Sequence, residues 1–324
     1  TKVIAANLKQ ESEVFQQLFG QAEIDFYKKK YGNAKQYFEQ SLEKTSNKTL
    51  INILEDRLKT CNDAISKDPT KGIIKTATPP TLAWWENLDQ DWKVVLDGKY
   101  FKGTPSDLDL NKLYKNFIML DISQSKLSDL SGITALHNIK ILNGNASQIT
   151  SLAPLQHLKN IRSIQCANTP ISSLDSLNEL QKVRILNVPF TKINDLSPIT
   201  NWTQLQSLDI RNTKVSDLSP ISTHYFLEKL WIAGTPIKDL SATNKLGLLQ
   251  DLDISSTPIS SLAPLVKANG LRTLNISGTR ISDLSPLEKL PVLSTFYCQS
   301  TPLSVQQIAD FKAQHPNCTI ISDY

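Results

Sequence analysis

The feature that most constrains this chain is a fixed spacing of 22 residues between leucines. Eight leucines each follow the one before by this step: Leu130, Leu152, Leu174, Leu196, Leu218, Leu240, Leu262 and Leu284. A second apolar column has the same step: Leu120, Leu142, Ile164, Leu186, Leu208, Leu230, Leu252, Leu274 and Phe296. A period of about 20–29 residues with this leucine spacing predicts a solenoid, in which each stacked coil supplies one short strand.

A single coil shows how the period is divided. Residues 205–221 read LQSLDIRNTKVSDLSPI, and the same pattern returns at 249–265 and 271–287. The segment Leu208–Ile210 is predicted as the strand. The Ser-Pro pairs that follow, such as Ser219-Pro220, favour a helix start with Ser as the cap and Pro in the first turn, and so few residues remain that only a 3₁₀ turn fits.

This pattern resembles the leucine-rich repeat family, and more narrowly the 22-residue class of bacterial internalins, over roughly residues 113–321. The resemblance implies an α/β solenoid that winds as a right-handed superhelix, with a parallel sheet on the concave face and 3₁₀ turns on the convex face. One departure is systematic, because the family usually has Asn where this chain has a hydroxyl: Ser125, Ser147, Thr169, Thr191, Thr213, Thr235, Thr257, Thr279 and Thr301. A hydroxyl donates one hydrogen bond where an amide donates two, and we expect it still to hold the turn.

The N-terminal region predicts a small all-α domain. Apolar residues recur there at helical spacing: Val14, Leu18, Ala22 and Phe26, then Tyr31, Ala34, Phe38 and Leu42. Residues 31–42 resemble one tetratricopeptide repeat, and a further helix is predicted at about 48–67. A plain helical hairpin is the alternative. Since such arrays usually need about three repeats, we expect either more repeats before Thr1 or pairing with another copy.

The remaining boundaries follow from composition. Residues 68–82 are rich in Pro and Thr and are predicted as a linker. We expect residues 83–97 to form one amphipathic helix and residues 98–112 a loop. The predicted organisation is a tetratricopeptide-like domain at 1–67, a linker at 68–82, an N-terminal solenoid cap at 83–112, repeats at 113–303 and a C-terminal cap helix and strand at 304–324. The chain begins with Thr rather than Met, so we expect a trimmed N-terminus and assign no localisation.

Composition and motifs exclude several functions. The net charge of +4 is spread over the chain, which argues against nucleic acid as a partner. No apolar run is long enough to predict a membrane span. No catalytic motif is present, so we expect neither an enzyme nor a cofactor. His137, His157, His224 and His315 lack ligand spacing, so we expect no metal and interpret them as solvated or locally bonded.

The outward strand positions predict a binding face. Most are small and polar, but Trp231, Tyr297 and Arg211 are of the types that anchor interfaces. Asp209 and Asp253 flank Trp231 in its column, which suggests an apolar centre with an acidic rim. The alternative is that Trp231 only lies flat over neighbouring coils.

A second candidate is a basic stripe. Lys140, Arg162 and Arg184 are one period apart and therefore stack on adjacent coils, where an anion would relieve their repulsion. The alternative is a solvated row of cations. For the whole chain, the leading hypothesis is a non-enzymatic module that binds a protein or peptide. The competing hypothesis is a sensor or regulatory arm of a larger signalling protein or enzyme.

Overall fold

The structure is a computed structural model, and it describes residues 22, 31–42, 45–67, 80–97 and 100–324. The chain divides into two compact units, Thr1–Ala77 and Thr78–Tyr324. The division falls within residues 68–82, of which only 80–82 are described. Three of the apolar positions used to predict the first helix lie outside the described residues: Val14, Leu18 and Phe26.

The first unit contains two described helices, α1 (Tyr31–Leu42) and α2 (Lys48–Lys67). They share one small apolar core, formed by Ala22, Ala34, Phe38, Leu50, Leu54 and Cys61. The alanines keep this core narrow because a methyl group takes little space between helices. The tetratricopeptide resemblance remains a prediction.

The second unit is built on one sheet of ten parallel strands in chain order. Each strand has three residues, as follows: β1 (Met119–Asp121), β2 (Ile141–Asn143), β3 (Ser163–Gln165), β4 (Ile185–Asn187), β5 (Ser207–Asp209), β6 (Lys229–Trp231), β7 (Asp251–Asp253), β8 (Thr273–Asn275), β9 (Thr295–Tyr297) and β10 (Thr319–Ile321). From β1 to β9, each residue pairs with the residue 22 positions later, as Leu208 does with Leu230. The predicted solenoid is confirmed.

Short 3₁₀ turns return the chain on the opposite side, at Ser131–Ala135, Ala153–His157, Asp175–Leu177, Ser197–Ile199, Ser219–Ile221, Ser241–Lys245, Ala263–Leu265 and Ser285–Leu287. The side chains of the apolar columns fill the space between the sheet and the 3₁₀ turns. Leu208 and Ile210 are both completely buried, and full burial of each such side chain contributes about 1.5–3 kcal/mol. The core is therefore one continuous column of stacked layers.

Aspartates fix the entry to several turns. Asp217 accepts hydrogen bonds from the Ser219 backbone N–H at 2.7 Å and from its hydroxyl at 2.6 Å. The bond from the Ser219 side chain is the main reason why the pKa of Asp217 lies below its ordinary value. The serine was expected to cap the turn, but it is the first residue inside the turn, and the carboxylate two residues earlier holds it.

The hydroxyl ladder holds the turn after each strand, as predicted. In all nine coils the hydroxyl donates to the carbonyl three residues earlier, as Thr213 does to Ile210 at 2.7 Å. The residue before the hydroxyl has a positive φ of 53–69°: Gln124, Ala146, Asn168, Phe190, Asn212, Gly234, Ser256, Gly278 and Ser300. Only Gly234 and Gly278 adopt this left-handed conformation without steric cost.

The N-terminal end of the core is covered by α3 (Leu82–Asn87) and α4 (Gln90–Leu96). The prediction of one helix over 83–97 was wrong, because Asp89 begins a second helix by accepting the Trp92 backbone N–H at 2.8 Å. The buried residues Trp85 and Trp92 pack against the first coil. The Trp92 indole donates to the Asp129 carbonyl at 2.9 Å, which anchors the cap.

A third helix, α5 (Asp107–Asn116), lies where a loop was expected in 98–112. Its start is set by a capping box, in which the Ser106 hydroxyl accepts from the Asp109 N–H and Asp109 accepts from the Ser106 N–H. Leu110 and Leu113 then join the core. The capping residues are visible in the sequence, and the loop prediction overlooked them.

The C-terminal end of the core is covered by α6 (Val305–Gln314) and closed by β10, as predicted. Phe311 is buried, with its ring centroid 5.1 Å from that of Phe296 in the last full coil. Ser304 and Gln307 form the capping box that starts the helix.

Candidate interaction surface

Trp231 ends strand β6, near the middle of the sheet. Its neighbours across the strands are Asp209 on β5 and Asp253 on β7. The side chain is half-buried. It therefore lies on the outward face, as predicted, and neighbouring side chains cover part of it.

An ion pair fixes the side of this cluster formed by β5. The Arg211 guanidinium donates to both carboxylate oxygens of Asp209, through Nε at 2.9 Å and Nη2 at 2.7 Å. This hydrogen bonding raises the pKa of Arg211 above its ordinary value. Asp209 is only 1% exposed, so the expectation of an open acidic rim at this position was wrong. Its carboxylate instead holds the guanidinium in place.

Two cations lie against the Trp231 ring. The Arg211 Cζ atom is 5.3 Å from the ring centroid and the Lys229 Nζ atom is 5.9 Å from it. Each lies at a distance where the π-system attracts a cation. Lys229 was not predicted as part of this site, although strand alternation puts residues two apart on one face. Together these contacts restrict the rotamers of Trp231.

Asp253 forms the other side of the cluster. It accepts from the Ser255 backbone N–H at 3.0 Å and from its hydroxyl at 2.6 Å. It is half-buried and keeps a part of its surface in water. Tyr297, on β9, is also half-buried on this face and lies three strands from Trp231, or about 14 Å at normal strand spacing. The two aromatic side chains therefore lie on the same face but too far apart to form one cluster.

The predicted basic stripe is stacked as expected. The Arg162 backbone N–H donates to the Lys140 carbonyl at 2.7 Å, and that of Arg184 donates to the Arg162 carbonyl at 2.8 Å. Arg162 and Arg184 are exposed, and Lys140 is half-buried. The column continues with Gln206 and Glu228, so the stripe ends after three coils. Anion binding there stays a prediction.

The interpretation of His224 as solvated or locally bonded was wrong. It is completely buried, and its Nε2 atom lies 3.1 Å from the Ile199 carbonyl. A carbonyl can only accept, so Nε2 carries the proton; Nδ1 is buried without a partner among the described residues. Burial lowers the pKa of His224. One coil earlier, Trp202 occupies the same position and donates to the Leu177 carbonyl at 3.2 Å.

Within the part of the chain that the structure describes, no group of three or more His, Cys, Asp or Glu side chains is arranged to hold a metal ion. Among the same residues, no helix is both long and apolar enough to cross a membrane. All four cysteines are buried free thiols: Cys61, Cys166, Cys298 and Cys318.

Comparison with known proteins finds matches in structure only. No protein-family model and no curated protein matches the sequence. An internalin (inlF) of Listeria monocytogenes matches with a TM-score of 0.59 and 23% identity, over 64% of this chain and 61% of that one. The internalin C2 of the same species matches with a TM-score of 0.54 and 25% identity, over 58% and 82%.

A third similar structure comes from a plant. It is the ectodomain of the receptor kinase GASSHO1/SCHENGEN3 of Arabidopsis thaliana in complex with CASPARIAN STRIP INTEGRITY FACTOR 2, with a TM-score of 0.51 and 12% identity over 63% of this chain and 30% of that one. The second unit is thus a leucine-rich repeat solenoid. Its fold is similar to that of the two internalins, in agreement with its 22-residue period. The match to the internalin inlF spans only 61% of that protein.

Proposed function

We propose that the repeat array is a non-enzymatic interaction module that binds a protein or peptide on its sheet face, with Trp231 as the main contact. The observation that carries the proposal is the fixed, partly exposed indole between Arg211 and Lys229. Tryptophan and arginine are over-represented among the residues that dominate binding energy. The plant neighbour, whose ectodomain is complexed with another factor, supports the same use of the fold.

The cluster is suited to binding because its side chains are already ordered. Binding usually costs conformational entropy for each side chain that becomes fixed. Here Asp209 fixes Arg211 through two hydrogen bonds, and Arg211 in turn restricts Trp231. A partner that presents an apolar side chain to the indole therefore meets a surface with little entropy left to lose.

The partner is expected to be extended, because its two aromatic contacts are far apart. Trp231 and Tyr297 are separated by about 14 Å along the sheet, and short polar side chains such as Ser277 lie between them on the outward face. A flat protein surface or an extended peptide can span that distance, whereas a small molecule at either residue cannot.

The test is capture from lysate and surface fractions of the source cells, followed by titration of the captured protein. Wild type is compared with a Trp231→Ala, Tyr297→Ala double variant and with a Tyr324→Ala control, since Tyr324 is 75% exposed at the chain end. Loss of a dominant contact of at least about 2 kcal/mol weakens binding roughly 30-fold. Equal affinity of the double variant and wild type for every captured protein would contradict the proposal.

A further inference from the structure

One edge of the solenoid changes from polar to mostly apolar residues half-way along the array. Between each 3₁₀ turn and the next strand, the chain makes a two-residue turn, and we call these turns the tip edge. In four successive coils the tip residues are polar: His137-Asn138, Lys159-Asn160, Gln181-Lys182 and Thr203-Gln204. In the next four they are mostly apolar or small: Tyr225-Phe226, Gly247-Leu248, Asn269-Gly270 and Pro291-Val292.

The apolar tips are open to water. Tyr225 is 52% exposed, Phe226 55%, Leu248 48% and Val292 40%. The same turn is built from polar residues in the earlier coils, so the fold itself does not require apolar side chains here. Several large apolar side chains exposed along one edge are typical of a surface that binds another protein or a membrane.

A column of lysines accompanies these tips. Lys245, Lys267 and Lys289 are one period apart, on successive coils, and each precedes the second residue of its tip by three positions. All three are exposed, and none forms an ion pair with another described residue. The other coils have His157, Glu179, Asn201 and Thr223 at this position. The lysine column therefore accompanies three of the four C-terminal tips, whereas the lysines of the earlier tips, Lys159 and Lys182, lie beside polar residues.

We propose that the C-terminal half of the tip edge docks on an anionic phospholipid surface. Lysines beside exposed aromatic and aliphatic side chains are the combination that binds at a lipid headgroup boundary. Arg272 adds a further cation near this edge, and Glu228 and Glu288 are the acids close to it.

The energetics favour a measurable effect. A lysine near an anionic membrane surface strengthens binding by roughly fivefold, so three of them together contribute about 100-fold. The apolar tips add to this by entering the headgroup region, where tyrosine is also a frequent residue. Neither contribution uses the sheet face, so lipid docking leaves Trp231 free for a protein partner.

The test is co-sedimentation of the full chain with vesicles of phosphatidylcholine that contain phosphatidylglycerol, against vesicles of pure phosphatidylcholine. The first variant replaces the three lysines by Gln: Lys245→Gln, Lys267→Gln and Lys289→Gln. The second makes the tips polar: Phe226→Ser, Leu248→Ser and Val292→Ser. The matched control removes the same charge from exposed positions outside the tip edge: Lys126→Gln, Lys192→Gln and Lys214→Gln.

The proposal expects wild type to bind only the anionic vesicles, the lysine variant to partition about 100-fold less, and the control variant to bind within about threefold of wild type. The proposal is overturned if wild type does not bind the anionic vesicles. It is also overturned if the control variant loses as much vesicle binding as the lysine variant. Dimerisation of wild type that the polar-tip variant abolishes, without vesicle binding, assigns the edge to a second copy and also overturns it. The Trp231→Ala, Tyr297→Ala variant should still bind vesicles, which separates this proposal from the sheet-face one.

Discussion

The hydroxyl ladder makes a prediction at Thr213 that isolates one hydrogen bond. Thr213 is 5% exposed, and its hydroxyl donates to the Ile210 carbonyl at 2.7 Å. Thr213→Val keeps the shape of the side chain and removes the donor. A buried carbonyl deprived of its partner costs about 1–3 kcal/mol. In a domain of this size that corresponds to a fall in Tm of roughly 2–4 °C per kcal/mol.

Two further variants test whether the hydrogen bond is the cause. Thr213→Ser should keep most of the stability, because Ser125 and Ser147 make the same bond in the first two coils at 2.6 and 2.7 Å. Thr203→Val is the control, since Thr203 is exposed and lies in the turn before β5. Urea unfolding followed by circular dichroism gives the free energy of unfolding for each variant. If Thr213→Val is as stable as Thr213→Ser, the hydroxyl does not hold the turn and the reasoning fails.

Three other predictions concern single residues of the array. The pKa of His224 lies below its ordinary value of 6.5, so the unfolded state takes up the proton first and stability falls as the pH drops below about 6.5. His224→Leu should reduce this fall in urea titrations at several pH values, leaving the share from His137, whose pKa is also lowered by burial; an unchanged slope would contradict it. Gly234→Ala should cost about 1–2 kcal/mol of stability, because the left-handed conformation disfavours a Cβ atom and that atom would lie 2.5 Å from Asn212 Oδ1. Burial raises the pKa of the Cys166 thiol to about 12, so a thiol-alkylating reagent at neutral pH should modify it only after unfolding; rapid labelling of the native protein would show that the core opens there.

The sequence predicted the sheet, the 3₁₀ turns and the hydroxyl ladder because each depends on one residue type repeated at a fixed step. The left-handed positions were not predicted, because residues as different as Phe190 and Gly234 occupy them. There the hydrogen bonds of the coil impose the conformation, and the side chain carries no common signal.

The candidate site was predicted less completely than the fold. Periodicity placed Trp231 and Asp253 on the outward face, but it could not show that Arg211 bends back to cover Asp209, because such a contact depends on rotamers. His224 was different, since its 22-residue column contains Leu180 and Leu246 and alignment of the coils alone would have put it inside. The prediction gave more weight to the polarity of histidine than to its position in this buried column.

The pair Trp202 and His224 has a consequence for how a repetitive chain finds its correct order. Coils that are near copies of one another could stack with one coil left out and still match leucine against leucine. At these two positions large rings replace the leucine of the column, and each ring N–H meets a backbone carbonyl one coil back, of Leu177 or Ile199. Because every coil offers such a carbonyl, it is ring volume that distinguishes these coils: an arrangement that omits one of them packs a ring against a layer shaped for another side chain, and such misfits cost about 1–3 kcal/mol. These two coils in the middle of the array can therefore be told apart from the leucine-filled coils, which are otherwise interchangeable.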